Sequence, residues 1–298
     1  GRHLPLGVDG YIPIGIAEKV SAITGVPILP PIWYSTCSWH QGFTGTIHIS
    51  SDTLIRQVVE ICASVQRYGI KHIIGINGHT GGSDPALMVA ADKVLEKTGA
   101  RFWIACVVDV ARDAIIDLCT SPVLGHADEI ETAEMMAIRP DLVHLDCVEA
   151  SNRVPKSEFL SLNYRPLKAQ MHYRMNSNDW KRIAPEGYVG DPTAASLEKG
   201  KKMIYCIAEN IIKFIEELNP ISHASALASK SLEKVQESML YRKTLIEKTP
   251  DELFALVIKQ RTEAALEFQR SVEQSLEQLS NISSEFEPSS QKRKKMSL

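Results

Sequence analysis

No two cysteines of this chain stand in a C-x-x-C spacing. Cys37, Cys62, Cys106, Cys119, Cys147 and Cys206 are scattered through it. That scatter argues against a zinc-ribbon or disulfide framework and points to free thiols in a reducing cytoplasm. No G-x-G-x-x-G or G-x-x-x-x-G-K-[ST] follows an apolar run, which removes the common phosphate-cradling loops of nucleotide-binding proteins. No apolar run approaches the roughly 18 residues that a membrane-spanning helix needs, and no signal peptide is present. Charge of one sign is not in excess either. The formal net charge is −3, so neither nucleic acid nor a polyanionic substrate is expected as a partner. An initiator methionine is absent as well, and the abrupt start at Gly1 reads as a fragment or a processed chain. The remaining composition is that of a globular protein, with 44% hydrophobic and 23% charged residues. Its 298 residues suffice for one large domain, or one domain with an appendage.

Short apolar runs alternate with amphipathic segments up to about residue 215. Val26 to Trp33 is apolar, but Pro27, Pro30 and Pro31 restrict it to an edge strand or an extended loop. Ser51 to Tyr68 reads as a helix capped by Ser51, with Leu54, Val58, Ile61 and Val65 on one stripe. Ile70 to Ile76 reads as a buried strand, and Pro85 to Lys97 as a helix with proline in its first turn. Arg101 to Val110 reads as another strand; Glu129 to Ala137 and Ala194 to Leu218 read as helices. Such βα repetition predicts an α/β fold with a mainly parallel sheet and helices on both faces.

Composition changes after Asn219-Pro220. Residues 1–219 form the expected main domain, and residues 220–282 a helical extension with helices over 226–248 and 251–280. The second opens on Thr249-Pro250-Asp251-Glu252, a capping-box pattern, and carries a stripe of Ala265, Phe268, Val272, Leu276 and Leu279. It suits either a hairpin packed on the main domain or a partner-docking coiled coil. Residues 283–298 are polar and read as a disordered tail. Their basic cluster, Lys292-Arg293-Lys294-Lys295, is either a solvated run or a targeting patch.

Three segments carry residues suited to chemistry. Asn77-Gly78-His79-Thr80-Gly81-Gly82 follows an apolar strand, and so places an imidazole at the carboxyl edge of a sheet, where ligands collect. The tripeptide alone is equally a polar turn. Asp9, in a glycine-rich loop ahead of a helix over Ile14 to Thr24, could bridge two metal ions or simply cap that helix. Gly125-His126-Ala127-Asp128-Glu129-Ile130-Glu131-Thr132 combines a histidine with three acids at a helix mouth. It could offer a metal ligand and a proton carrier, although a helix dipole favours acids there in any case.

Taken in order, His3-Leu4-Pro5-Leu6-Gly7-Val8-Asp9, Gly42-Phe43-Thr44-Gly45-Thr46-Ile47, Asn77 to Gly82, Gly125 to Thr132 and Gly190 to Gly200 resemble the motifs of the creatininase (creatinine amidohydrolase) family. The resemblance implies a three-layer αβα sandwich and closed homo-oligomers, often hexamers. It also implies a site with two divalent ions (Zn, Mn or Fe(II)) that hydrolyses amide C–N bonds. By the same resemblance Asp9 bridges the metals, His79 ligates one of them and His126 shuttles protons. Glu131 is the glutamate that follows His126, and His3 lies beside the site without being a primary ligand. The family's first motif is written ExHGxH, and this chain starts at its glycine, Gly1. Two family ligands would then precede the chain, and the chain expressed alone is expected to be poor in metal.

Creatinine-hydrolysing members carry an aromatic residue and a ligand glutamate directly after the histidine of NGH, whereas this chain has Thr80 and Gly81. Pro122 stands shortly before His126, where those enzymes place a tryptophan. The pattern resembles an NGHGGN-type branch acting on a formamide, a cyclic amide or a small peptide, with Glu131 completing the second metal position. Thr80 and Gly81 would face the substrate, as would His3. Trp33, Tyr34, Trp39 and His40 are pocket candidates or a packed aromatic loop. The expected reaction is attack by a metal-activated water on a small amide, with His126 protonating the leaving nitrogen. The rival reading is a non-catalytic oligomeric scaffold whose helical extension binds a partner.

Overall fold

The computed structural model describes residues 1–150 and 175–218, with isolated positions from 249 to 270. Two compact units are distinguished, Gly1–Pro250 and Asp251–Leu298. The described positions of the second, from Glu252 to Arg270, are helical, and Lys259 lies 3.9 Å from Glu263 one turn on. The helix expected over 226–248, the rest of that over 251–280 and the basic tail lie outside the described residues.

Helix α1 spans Val8–Thr24 and ends at Gly25, whose φ of 71° lets its N–H return to the Ser21 carbonyl at 2.8 Å. Asp9 therefore sits in the first turn of α1, not in a loop before it. Pro13, within the helix, has no N–H to donate to the Asp9 carbonyl one turn back. Helix α2 spans Ser51–Gln66, and its N-cap is Ser50, one residue earlier than the sequence suggests; the Ser50 hydroxyl accepts from Thr53 N–H. Strand β1 (His72–Asn77), helix α3 (Asp84–Thr98) and strand β2 (Arg101–Cys106) then make a βαβ unit. The two strands pair in parallel from His72↔Arg101 to Asn77↔Cys106.

The expected strand to Val110 stops at Cys106, and Val107–Val110 forms a short helix, α4, burying Val107 and Val108. An apolar run cannot by itself distinguish a buried strand from a buried helical turn, which is why the two were indistinguishable in sequence. Helix α5 (Arg112–Leu118), strand β3 (Leu124–His126) and helix α6 (Glu129–Ile138) follow. The Asp128 side chain caps α6 by accepting from Ile130 N–H at 2.9 Å. After α7 (Ser177–Ile183) comes β4 (Val189–Gly190), which pairs antiparallel with β3 and sets Val189 opposite His126. The amphipathic α8 (Leu197–Leu218) closes the domain.

Side-chain alternation explains the layers. Ile73, Phe102 and Ile104 pack with Leu54, Val58, Ala90 and Val94 of α2 and α3. Trp103, pointing the other way, meets Phe214 of α8 with ring centroids 5.1 Å apart. Helices therefore cover both faces of the parallel pair, as in an αβα sandwich. On the α8 side, Ile16 of α1, Ile130 and Met135 of α6, and Met203, Ile204 and Ile207 of α8 are fully buried. The α6–α8 approach depends on Gly200, where a Cβ would lie 1.7 Å from the Ala133 carbonyl oxygen. Beneath the same helices, buried Glu129 receives Thr120 N–H at 3.0 Å, Ser121 N–H at 2.7 Å and the Lys199 ammonium.

Candidate metal centre and its histidine cluster

Three chain segments converge where β1 and β3 end. The Asn77–Gly82 turn is braced from within: the Asn77 carboxamide accepts from His79 N–H at 3.1 Å and from the Ser83 hydroxyl at 2.9 Å. The same carboxamide donates to Asp84. Asp84 also accepts from Gly81 N–H at 2.6 Å, and Gly81 has a φ of 81°. Asn77 and Asp84 thus hold the loop that presents His79, a role the motif alone did not reveal. Gly78 allows β1 to approach α1, since a Cβ there would stand 2.3 Å from the Asp9 carbonyl oxygen. Gly82 makes room for the imidazole itself, because a Cβ there would lie 1.9 Å from His79 Nε2.

The result is a 2.9 Å contact between His79 Nδ1 and Asp9 Oδ2, residues 70 positions apart. Burial opposes a charged His79, but hydrogen bonds to Asp9 and Cys37 outweigh it and hold the imidazole well above its ordinary pKa. Glu131, on the first turn of α6, lies 4.0 Å from His126 Nδ1 and accepts from Ala127 N–H. Ala127 itself adopts a φ of 46°, a strained value for a residue other than glycine, beside the site. Burial and the Asp9 and Asp128 carboxylates push Glu131 up to about 8. A carboxyl group raised in this way by neighbouring carboxylates marks a place short of positive charge, and a bound cation would reverse the effect. Asp9, His79 and Glu131 are oxygen and nitrogen donors suited to a divalent ion, and His79 Nε2 is buried without a hydrogen-bond partner. These residues fit a metal.

His126 ends β3 facing the same space. Its ring stacks on His40 at 4.5 Å with 13° between planes, and Trp180 meets both rings edge-on, at 5.3 Å from His126 and 4.9 Å from His40. Trp39 stacks on His40 at 5.8 Å. Burial first, then the neighbouring His40, hold His126 well below its ordinary value, so it rests as a neutral imidazole. A neutral imidazole can accept a proton before it donates one. Burial likewise brings His40 down to about 4.

His3 is wholly enclosed. Its Nε2 lies 2.7 Å from Thr132 Oγ1, its ring meets Tyr188 edge-on at 6.0 Å, and burial lowers it to about 4. It supports α6 from beneath. The Thr80 hydroxyl is buried without a hydrogen-bond partner, while the Cβ position of Gly81 meets nothing within 4 Å. Trp33 packs on Tyr11 at 5.5 Å, beside the first turn of α1, and Tyr34 is exposed. Two residues at the centre were not singled out in the sequence for chemistry, Cys37 and Trp180. Cys37 Sγ lies 3.2 Å from His40 Nδ1. The C-x-x-H spacing of Cys37 and His40 was the available signal. Trp180, on the short helix α7, had none. None of the six cysteines forms a disulfide, and three of them, Cys62, Cys119 and Cys206, are buried. No helix among the described residues is long and apolar enough to cross a membrane.

Comparison with known proteins identifies the family and the fold. The family model for creatininase (creatinine amidohydrolase) matches residues 1–215, and that for a domain of unknown function (DUF4756) matches residues 195–297. A mycofactocin precursor peptide peptidase of Mycolicibacterium smegmatis is 29% identical over 209 residues, spanning 68% of this chain and 74% of that protein. A 3-dehydro-scyllo-inosose hydrolase of Thermotoga maritima is 26% identical over 236 residues, spanning 73% of each. A solved structure described as "Creatininase Mn" superposes with a TM-score of 0.58 at 26% identity, covering 74% of this chain and 86% of that one.

Proposed function

Since the chain belongs to the creatininase family, whose model matches residues 1–215, we propose that it is a metal-dependent hydrolase that cleaves a C–N bond of a small amide. The observation that carries this reading is the 2.9 Å approach of His79 to Asp9, with Glu131 and His126 opening onto the same space. Asp9, His79 and Glu131 would hold the divalent ions. When bound, such ions activate a water and polarise the amide carbonyl.

The rest of the work falls to the chain. His126, neutral at rest, takes the proton released by the attacking water and delivers it to the leaving nitrogen. Its stacking on His40 and its edge contact with Trp180 fix the ring plane for both transfers. The indoles of Trp39 and Trp180 wall that side and exclude bulk water, which strengthens every charge interaction inside.

For substrate we propose a cyclic amide, a formamide or a short peptide in place of creatinine. Gly81 supplies neither ring nor carboxylate and leaves open space, which suits a more extended amide. That one relative is a precursor peptide peptidase supports keeping the short-peptide arm. A homo-oligomer is also proposed, because Leu6, Ile28, Leu29, Trp33, Tyr34 and Ile47 expose apolar surface that a second copy would cover.

The test is a metal-loaded panel of N-formyl amines, lactams and short peptides assayed for amine release. Asp9→Ala should empty the site, whereas His126→Ala should keep its metal and lose turnover. Loss of metal in His126→Ala, with retention in Asp9→Ala, would reverse the roles.

A further inference from the structure

We infer that Cys37 contributes a thiolate to this metal site and makes it select Zn(II) over Mn(II). The assignment rests on reading the site as a metal centre, and adds a ligand and a selectivity to it. Donor atoms of Cys37, His40 and His79 all lie within 4.8 Å of one another, so one ion can be reached from all three. His40 Nδ1 meets Cys37 Sγ at 3.2 Å and His79 Nδ1 meets Asp9, while the Nε2 atoms of both rings are buried with no hydrogen-bond partner.

The placement of Cys37 is built into the fold. Its backbone N–H donates to His48 Nδ1 at 2.8 Å, and Ile49 N–H donates to the Ser35 carbonyl at 3.1 Å, clamping the two arms of the loop together. The neighbouring Thr36 hydroxyl donates to the Gly82 carbonyl at 3.0 Å, tying that loop to the turn that carries His79. The one-turn 3₁₀ segment Ser38–His40 then brings His40 back over the sulfur. Cys37 is half-buried and close enough to the two imidazoles to ligate with them.

Sulfur changes which ion is favoured. Carboxylate and water donors suit Mn(II), whereas a thiolate with imidazoles suits the softer Zn(II). A sulfur donor also offsets the carboxylate missing at Gly81.

The full chain should be dialysed against equal Zn(II) and Mn(II) and its metal content measured, alongside Cys37→Ser and Cys37→Ala. Wild type is expected to retain zinc, and both variants to shift the zinc-to-manganese ratio by about tenfold or more toward manganese. Co(II) loading of the wild type should show a near-ultraviolet sulfur-to-metal charge-transfer band that both variants lack. Thermal unfolding of the chelated proteins checks that the variants fold. A metal-loaded wild type without the band, or variants of unchanged selectivity, overturns the role of Cys37 and leaves the metal site standing. A wild type that takes up no divalent ion overturns both.

Discussion

Gly82→Ala isolates the positioning of His79 from the stability of the fold. The backbone of Gly82 is not in the left-handed region, so alanine fits its conformation without strain. Its methyl group, however, would lie 1.9 Å from His79 Nε2, 2.2 Å from Cδ2 and 2.6 Å from Cε1. A normal carbon contact needs about 3.5 Å. The imidazole must therefore retreat by more than 1 Å, and its 2.9 Å contact with Asp9 cannot survive that displacement. The ring is the end of a rotatable side chain, so the fold itself gives way little. Replacing glycine by alanine also removes unfolded-state entropy worth ~0.4–1 kcal/mol, which offsets the crowding. The expected outcome is a melting temperature within a few degrees of wild type. Metal affinity should fall by ~10–100-fold and turnover by at least ~10²-fold, as for a misplacement of about 1 Å. Thermal unfolding in chelator, metal titration and the amide assay measure the three quantities. A variant that binds metal and turns over as wild type does would refute the placement of His79.

Four further outcomes are expected. Gly78→Ala, whose Cβ meets the immovable Asp9 carbonyl oxygen at 2.3 Å, should cost ~1–3 kcal/mol in chemical denaturation as well as metal. His126→Ala should lower turnover by ~10²–10⁴-fold with metal content by mass spectrometry near normal. Lys199→Met leaves the buried Glu129 carboxylate without its cation and should cost about 3 kcal/mol, seen as a shifted urea midpoint. Burial opposes ionisation of Glu129, but Lys199 and the Thr120 and Ser121 donors hold it below its ordinary 4.5. Its contribution is therefore complete above pH 4.5 and lost as pH falls through the lower folded value, an acid limb that Glu129→Gln should flatten in a melting series.

Much of the fold was legible in one dimension because local periodicity and punctuation agree with it. The stripe of α2, the proline opening α3 and the acids opening α6 all mark elements that the structure contains. Misreadings occur where local signals are degenerate. The apolar stretch after Cys106 coils instead of extending, and Asp9 lies inside α1 because Gly7 and Val8 carry no strong start signal. Antiparallel pairing of β3 with β4 was invisible, since it joins segments more than 60 residues apart through a two-residue strand.

The sequence by itself determined the family, through five ordered motifs, and the residue types available for chemistry. It also contained the glycines that the site requires, but not what each one makes room for. Only the tertiary structure decided which donors meet. Asp9 reaches His79 because Gly78 lets α1 press against the end of β1. Cys37 and Trp180 join the histidines because a clamped loop and the short helix α7 fold over them. Proximity between distant segments is set by packing, and packing follows from volumes and backbone approach that no motif spacing records.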